Sequence, residues 1–152
     1  MRTKRVAGLL MLACLSMATL SISGAAQAAD IGRIKTVTGN VTVVRGGAGT
    51  PAAVGQVLQV SDVIKTGADG RAGVTLADNS RFAVGPNASV ALSQFEFDDT
   101  THVGKSLTTV DRGTLAIVSG QIAHENKDAM KVRTPTSLLA ARGTRFVVEV
   151  TP

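Results

Sequence analysis

Aromatic residues and cysteine are scarce in this chain of 152 residues, which contains no Trp, no Tyr, four Phe and one Cys. The cysteine, Cys14, lies within an apolar run near the N-terminus. Beyond that run, disulfide and thiol chemistry are therefore excluded. The shortage of rings also argues against a surface for single-stranded nucleic acid, because bases stack on aromatic side chains there.

The excess of positive charge is concentrated at the start of the chain. Sixteen Lys and Arg residues against eleven Asp and Glu residues give a net charge of +5. Three of the sixteen, Arg2, Lys4 and Arg5, precede residue 29, which leaves thirteen basic against eleven acidic residues, or +2. Nucleic-acid-binding domains carry a much stronger basic excess. We therefore expect no nucleic-acid partner.

Residues 1–28 have the organisation of a secretory signal peptide. A basic start is followed by an uncharged apolar run over residues 6–20, and Ala26-Gln27-Ala28 supplies small residues for cleavage before Ala29. A single membrane anchor is the alternative, but the run is shorter than the ~20 residues that a spanning helix needs. We expect an exported domain, residues 29–152, with no stable membrane span after cleavage. Its location would be periplasmic, extracellular or outer-membrane associated.

The rest of the chain has the pattern of short β-strands. Apolar and polar residues alternate through most of residues 71–97, and turn residues recur every ~8–12 positions. Near the C-terminus, Phe146, Val148 and Val150 share one face of a closing strand. The pattern predicts a single all-β domain of many short strands, either β-solenoid-like or sandwich/jelly-roll-like. No segment after the signal peptide has helical periodicity.

Turn residues also give local predictions. Gly39-Asn40 lies between two extended runs and predicts a β-hairpin. The glycine-rich residues 45–51 predict a flexible loop, and residues 111–113 predict a turn between two separate strands.

Groups that carry catalysis or bind metals are few. No Gly-x-Ser-x-Gly motif or Ser/His/Asp set is present. His102 and His124 lie in polar, loop-like surroundings, and the Asp98-Asp99 pair lacks the spacing of a calcium loop. We therefore expect no enzymatic activity, no metal and no cofactor.

One cluster of residues near the C-terminus remains as a candidate binding site. Its basic residues would suit an acidic partner surface, an anionic ligand or lipid headgroups. The alternative is that they solvate the surface and protect a sheet edge from strand addition. The candidate binding residues are Arg133, Arg142, Thr144 and Arg145.

Residues 31–150 contain an ordered series of short motifs built on glycine, aspartate and proline. Examples are Asp62-Val63-Ile64-Lys65-Thr66-Gly67 and Arg142-Gly143-Thr144-Arg145-Phe146. In order and spacing, the series resembles the FecR family. The positions that mark the resemblance are Gly39, Asp62, Gly67, Asp78, Gly85, Pro86, Pro135, Gly143 and Phe146.

The resemblance implies an extracytoplasmic, all-β, non-enzymatic domain. In the best-known members it is the periplasmic part of an anti-sigma regulator that receives a signal from an outer-membrane siderophore receptor. This sequence departs from that plan, because no helical domain precedes the apolar run and none follows Pro152. We therefore expect no direct control of a sigma factor.

Two functions remain open from the sequence. The first is a protein-interaction or sensing module in envelope signalling or iron-responsive regulation, with another envelope protein as partner. The second is a structural protein bound to the outer membrane or the cell wall. The sequence leaves the oligomeric state open.

Overall fold

The computed structural model describes residues 29–143 and 145–151. These residues form a 12-stranded sheet and one short helix, which confirms the prediction of an all-β fold. The elements in chain order are β1 (Asp30–Thr38), β2 (Val41–Arg45), β3 (Ala48–Pro51), β4 (Val57–Gln59), β5 (Val63–Thr66), β6 (Arg71–Leu76), β7 (Arg81–Val84), β8 (Ser89–Phe97), β9 (Gly104–Val118), α1 (Gln121–Glu125), β10 (Met130–Arg133), β11 (Leu138–Ala141) and β12 (Arg145–Val150).

The sheet has two parts that share β9. Half-sheet A consists of β4, β1, β6, β7, the second part of β9 and β12. Half-sheet B consists of β3, β2, β5, β8, the first part of β9, β10 and β11. Within the described residues, β9 and β10 are the one parallel pair, so the strands do not stack as in a parallel β-helix.

A single hydrophobic core draws on both half-sheets, so the sheet curls around it. Cross-strand partners share a face of a sheet, and the buried residues form rows of such partners. One row in half-sheet A is Ile34–Val74–Phe82–Ile117–Phe146. One row in half-sheet B is Val43–Ile64–Val90–Val110, in which every side chain is at most 1% exposed.

The prediction of two strands around residues 111–113 is wrong, because β9 runs unbroken for 15 residues. The strand passes from half-sheet B to half-sheet A at Gly113, whose φ is 82°. A Cβ atom at this position would lie 2.5 Å from the Cα atom of Ala88. Glycine therefore satisfies both the left-handed backbone and the close approach of the β8 segment.

The hairpin predicted at Gly39-Asn40 is also wrong, because β1 and β2 do not pair with each other. The turn instead carries the chain from half-sheet A to half-sheet B. The Gly67 N–H donates to the Asn40 carbonyl at 2.8 Å, so the turn docks on another turn. A two-residue hairpin occurs instead at Gly46-Gly47, with φ of 56° and 85°, where a flexible loop was predicted.

One short helix also departs from the sequence prediction. α1 has five residues and buries Ile122 and Ala123. A helix of this length is too short to show a 3.6-residue period. No helix in the described part of the chain is long and apolar enough to cross a membrane, and the predicted signal peptide lies outside the described residues.

The closing strand predicted at the C-terminus is present as β12, which pairs with β9 alone in the part of the chain that the structure describes. Val148 is buried, and Phe146 and Val150 are partly buried against the core, whereas Val147 is 65% exposed. Gly143 precedes the strand with φ of 57°. Phe146 lies at the outer end of its row, because β12 is an edge strand.

A comparison of two glycine variants tests the close packing at Gly113. Gly47 has a similar φ of 85°, but a Cβ atom there meets nothing within 4 Å. We expect Gly47→Ala to lower the free energy of unfolding by ~1 kcal/mol from backbone strain alone. Gly113→Ala should cost about 2–4 kcal/mol because of added steric overlap. Equal losses in urea unfolding would contradict the close approach.

A second comparison tests the depth of burial along one core row. Phe82 is 2% exposed in the middle of the row, and Phe82→Ala should cost about 3–5 kcal/mol. Phe146 is only partly buried, so Phe146→Ala should cost about 1–2.5 kcal/mol. Val147→Ala on the exposed face is the control, with a change within about 0.5 kcal/mol. In thermal unfolding, the melting temperature should fall most for Phe82→Ala, less for Phe146→Ala and least for Val147→Ala.

Candidate functional site

Asp62, the first residue of the Asp62–Gly67 motif, is fully buried and binds Arg45 of β2. Arg45 Nε donates to Asp62 Oδ1 at 2.7 Å, and Arg45 Nη2 donates to Oδ2 at 2.7 Å. The Gln59 N–H adds a third bond at 2.8 Å. The hydrogen bond to Asp62 raises the pKa of Arg45 above its ordinary value. This bidentate pair ties β2 to the turn after β4 and leaves the carboxylate no free oxygen.

Asp78 and Ser80 form a second buried polar group, at the turn between β6 and β7. Ser80 Oγ donates to Asp78 Oδ2 at 2.7 Å, and the Ser80 N–H donates to Oδ1 at 3.1 Å. The Gly120 N–H donates to Ser80 Oγ at 2.9 Å. These bonds join the turn to the segment that leads into α1. The serine hydroxyl thus donates to one group and accepts from another within the fold.

Gly67, Gly85 and Pro86 lie at a third junction, organised by Thr66. Thr66 Oγ1 donates to the Gly85 carbonyl at 2.7 Å and accepts from the Ala88 N–H at 2.8 Å.

Pro135 lies in the turn between β10 and β11, where the Thr134 N–H donates to the Ser137 carbonyl at 2.8 Å. The positions that mark the family resemblance thus lie mostly at corners of the fold.

Asp98 and His102 take part in local contacts of the loop between β8 and β9. Asp98 Oδ1 accepts from the Thr101 and Thr100 N–H groups at 3.0 and 2.8 Å, which holds the pKa of Asp98 below its ordinary value. His102 stacks on Phe97 with ring centroids 6.3 Å apart. Among the described residues, no three His, Cys, Asp or Glu side chains are grouped closely enough to hold a metal ion.

The structure does not bring the candidate binding residues together. Arg133 pairs with Leu138 at one end of the β10–β11 hairpin, whereas Arg142 follows Ala141 at the other end. These ends are about 10 Å apart along the strands. Arg145 begins β12 in the other half-sheet. Thr144 lies outside the described residues.

Arg133 belongs instead to a concave site on half-sheet B, which we call the basic groove. The groove has a volume of about 220 Å³ and includes Lys105, Lys131 and Arg133. Leu107 of β9 lies opposite Lys131 and also lines it. Within the described residues, none of the three cations forms an ion pair. The lining also includes the carboxylate of Asp128, so the groove carries three cations and one anion beside apolar surface.

The groove borders an open strand edge. Among the described residues, β11 pairs with β10 alone, and its Leu138 and Leu139 are 56% and 42% exposed. Leu138 lies opposite Arg133, so these two side chains share a face. An exposed edge of this kind is a template for the addition of another strand.

Arg145 belongs to a second basic surface, which the sequence reasoning missed. Arg33 pairs with Thr75, Thr75 with Arg81, Arg81 with Val118, and Val118 with Arg145. All three arginines are exposed. They form a line across half-sheet A, which we call the arginine row. The alternation of each strand indicates that its arginine points outward, but only the strand pairing aligns the three.

A variant of Arg45 tests the buried pair. Arg45→Ala should lower the free energy of unfolding by about 1.5–3 kcal/mol, because it leaves the buried Asp62 carboxylate without its cation. Arg45→Lys should lose less, because it keeps the charge but not the bidentate geometry. Arg81→Ala is the control and should change stability by less than about 0.5 kcal/mol. Equal midpoints for Arg45→Ala and Arg81→Ala in urea would exclude this role for the pair.

A family model described as FecR protein matches residues 62–152. The match contains the basic groove, β11 and two arginines of the arginine row. No curated protein and no solved structure matches the chain. The family model covers more than half of the chain and confirms the resemblance drawn from the motifs. The chain therefore belongs to the FecR family.

Proposed function

We propose that this chain is an exported, non-enzymatic sensing module that acts in envelope signalling by binding another envelope protein. Membership of the FecR family, a family of envelope regulators, supports a signalling role. The observation that carries the mode of binding is the open edge of β11 beside the basic groove. The buried polar groups Asp62, Asp78 and Ser80 are all engaged in hydrogen bonds that stabilise the fold. This use of the buried polar groups is consistent with a domain that acts by binding.

In this proposal, a strand of the partner pairs with β11. Backbone hydrogen bonds of such an added strand give affinity, and its side chains give specificity. Leu138 offers apolar contact, and Lys131 and Arg133 lie on the same face of the neighbouring strand. A partner strand with apolar and acidic side chains on that face would match both. A receptor involved in iron-responsive regulation is the first partner to test, because of the family resemblance.

Cross-linking in cells tests this mode. A photoreactive amino acid at position 138 should give a defined cross-linked product with an envelope protein. The same amino acid at position 54 is the matched control, because Val54 is 66% exposed and lies outside β10 and β11. Lys131→Glu together with Arg133→Glu should reduce the product at position 138 at least about tenfold, since the charges would repel an acidic strand. Identical products at both positions, or no product at position 138, would contradict the proposal.

The alternative, a structural protein attached to the envelope, is favoured by one observation, the arginine row. That surface lies on half-sheet A, away from β11 in the order of strands. Release of the protein by osmotic shock, or from the membrane fraction by high salt, supports the sensing module. Retention with the membrane or cell-wall fraction at high salt supports the structural role.

A further inference from the structure

The outward face of half-sheet A carries more positive charge than the arginine row alone. Arg33, Arg81 and Arg145 lie on alternate strands, so neighbouring members of the row are about 10 Å apart. Arg71 of β6 and Lys35 of β1 are also exposed on this half-sheet. The positions are fixed by strand register and not by loops.

Few acidic groups oppose these five cations. Glu149 lies on β12 four residues beyond Arg145, and Asp30 lies at the start of β1. In the described part of the chain, the single ion pair is that of Arg45 and Asp62, so none of the five cations is neutralised by direct contact. In the basic groove, by contrast, Lys105 lies opposite Glu96.

The side chains beside the arginine row are short. The next row of outward positions contains Gly73, Ala83, Ala116 and Val147. Thr36 covers Gly73, since a Cβ atom there would lie 2.4 Å from Thr36 Oγ1. The long arginine side chains therefore rise above their surroundings and can reach a common surface.

The composition of the outward face of half-sheet A suits an array of negative charges better than a protein interface. Protein interfaces have an apolar core enriched in aromatic residues, and this face has no aromatic residue and one largely exposed apolar residue, Val147. The row spans about 20 Å from Arg33 to Arg145, so one small anion cannot contact both end arginines. An extended array of separate negative charges can engage all three, and guanidinium groups bind phosphate oxygens with two hydrogen bonds.

We propose that the outward face of half-sheet A binds the surface of a membrane that contains anionic phospholipid, with Arg33, Arg81 and Arg145 contacting lipid phosphates. Each cation near such a surface strengthens binding about fivefold. The interaction is electrostatic, so salt weakens it. It is independent of strand addition at β11, and the two surfaces can be tested separately.

Co-sedimentation with lipid vesicles tests the proposal. The full chain, as processed by a bacterial host, is mixed with vesicles of phosphatidylcholine alone or with an equal part of phosphatidylglycerol. We expect binding to the anionic vesicles only, with loss at high salt. The variant R33Q/R81Q/R145Q should bind about 100-fold more weakly, since three cations are removed.

The matched control is K105Q/K131Q/R133Q, which removes the same charge from the basic groove. It should change binding less than about fivefold. Equal weakening by both triple variants would show an effect of net charge and overturn the proposal. Absence of binding to anionic vesicles would also overturn the proposal. Binding to polyglutamate that depends on the arginine row, without binding to vesicles, would overturn it as well and would indicate that the partner is an acidic polypeptide.

Circular dichroism shows whether the variant R33Q/R81Q/R145Q is folded. If it is not folded, single variants still test the proposal. Arg81→Gln and Arg145→Gln should each weaken vesicle binding about fivefold, whereas Lys131→Gln should not. Binding by Arg81→Gln and Arg145→Gln equal to that of the unchanged protein would overturn the proposal.

Discussion

The continuity of β9 through Gly113 is the constraint on which the rest of the fold depends. This strand pairs with β8 and β10 before Gly113, and with β7 and β12 from Gly113 onward. Its inward residues, such as Val110 and Leu115, enter one core from both half-sheets. A glycine at the crossing lets the strand take a φ of 82° while the backbone near Ala88 packs against it. Through this crossing one strand belongs to both half-sheets and joins them around the single core.

The sequence contained enough information for the strands but not for their partners. Alternation is a local property, so it revealed β6, β7 and β12 and the inward direction of Phe146 and Val148. Pairing is a long-range property: β1 pairs with β4 and β6, and β12 pairs with β9. Gly39-Asn40 has the composition of a hairpin turn but is used as a crossing between half-sheets. The local sequence at this turn is compatible with a hairpin and with a crossing. The crossing is observed because β1 and β2 pair with strands of different half-sheets, and both strands enter the same core.

The same limit explains what could be predicted of the two basic surfaces. Arg133 and Arg145 stood out because they lie near one another in sequence, but the fold places them on different half-sheets. Arg33 and Arg81 were missed because they line up with Arg145 only after five strands have paired in register. The distribution of charge on a sheet is thus set by topology, and a cluster in the sequence is a poor guide to a cluster in space.

Register also connects the core to the outward surface. In half-sheet A, the inward row that contains Val74, Phe82 and Ile117 is adjacent to the outward arginine row on the same strands. A shift by one residue would place arginines in the core, at a cost that no surface contact offsets. The packing of the hydrophobic row therefore holds the arginines at a constant spacing. The buried carboxylates Asp62 and Asp78 are engaged in the fold, whereas the charges of the arginine row remain exposed at the surface.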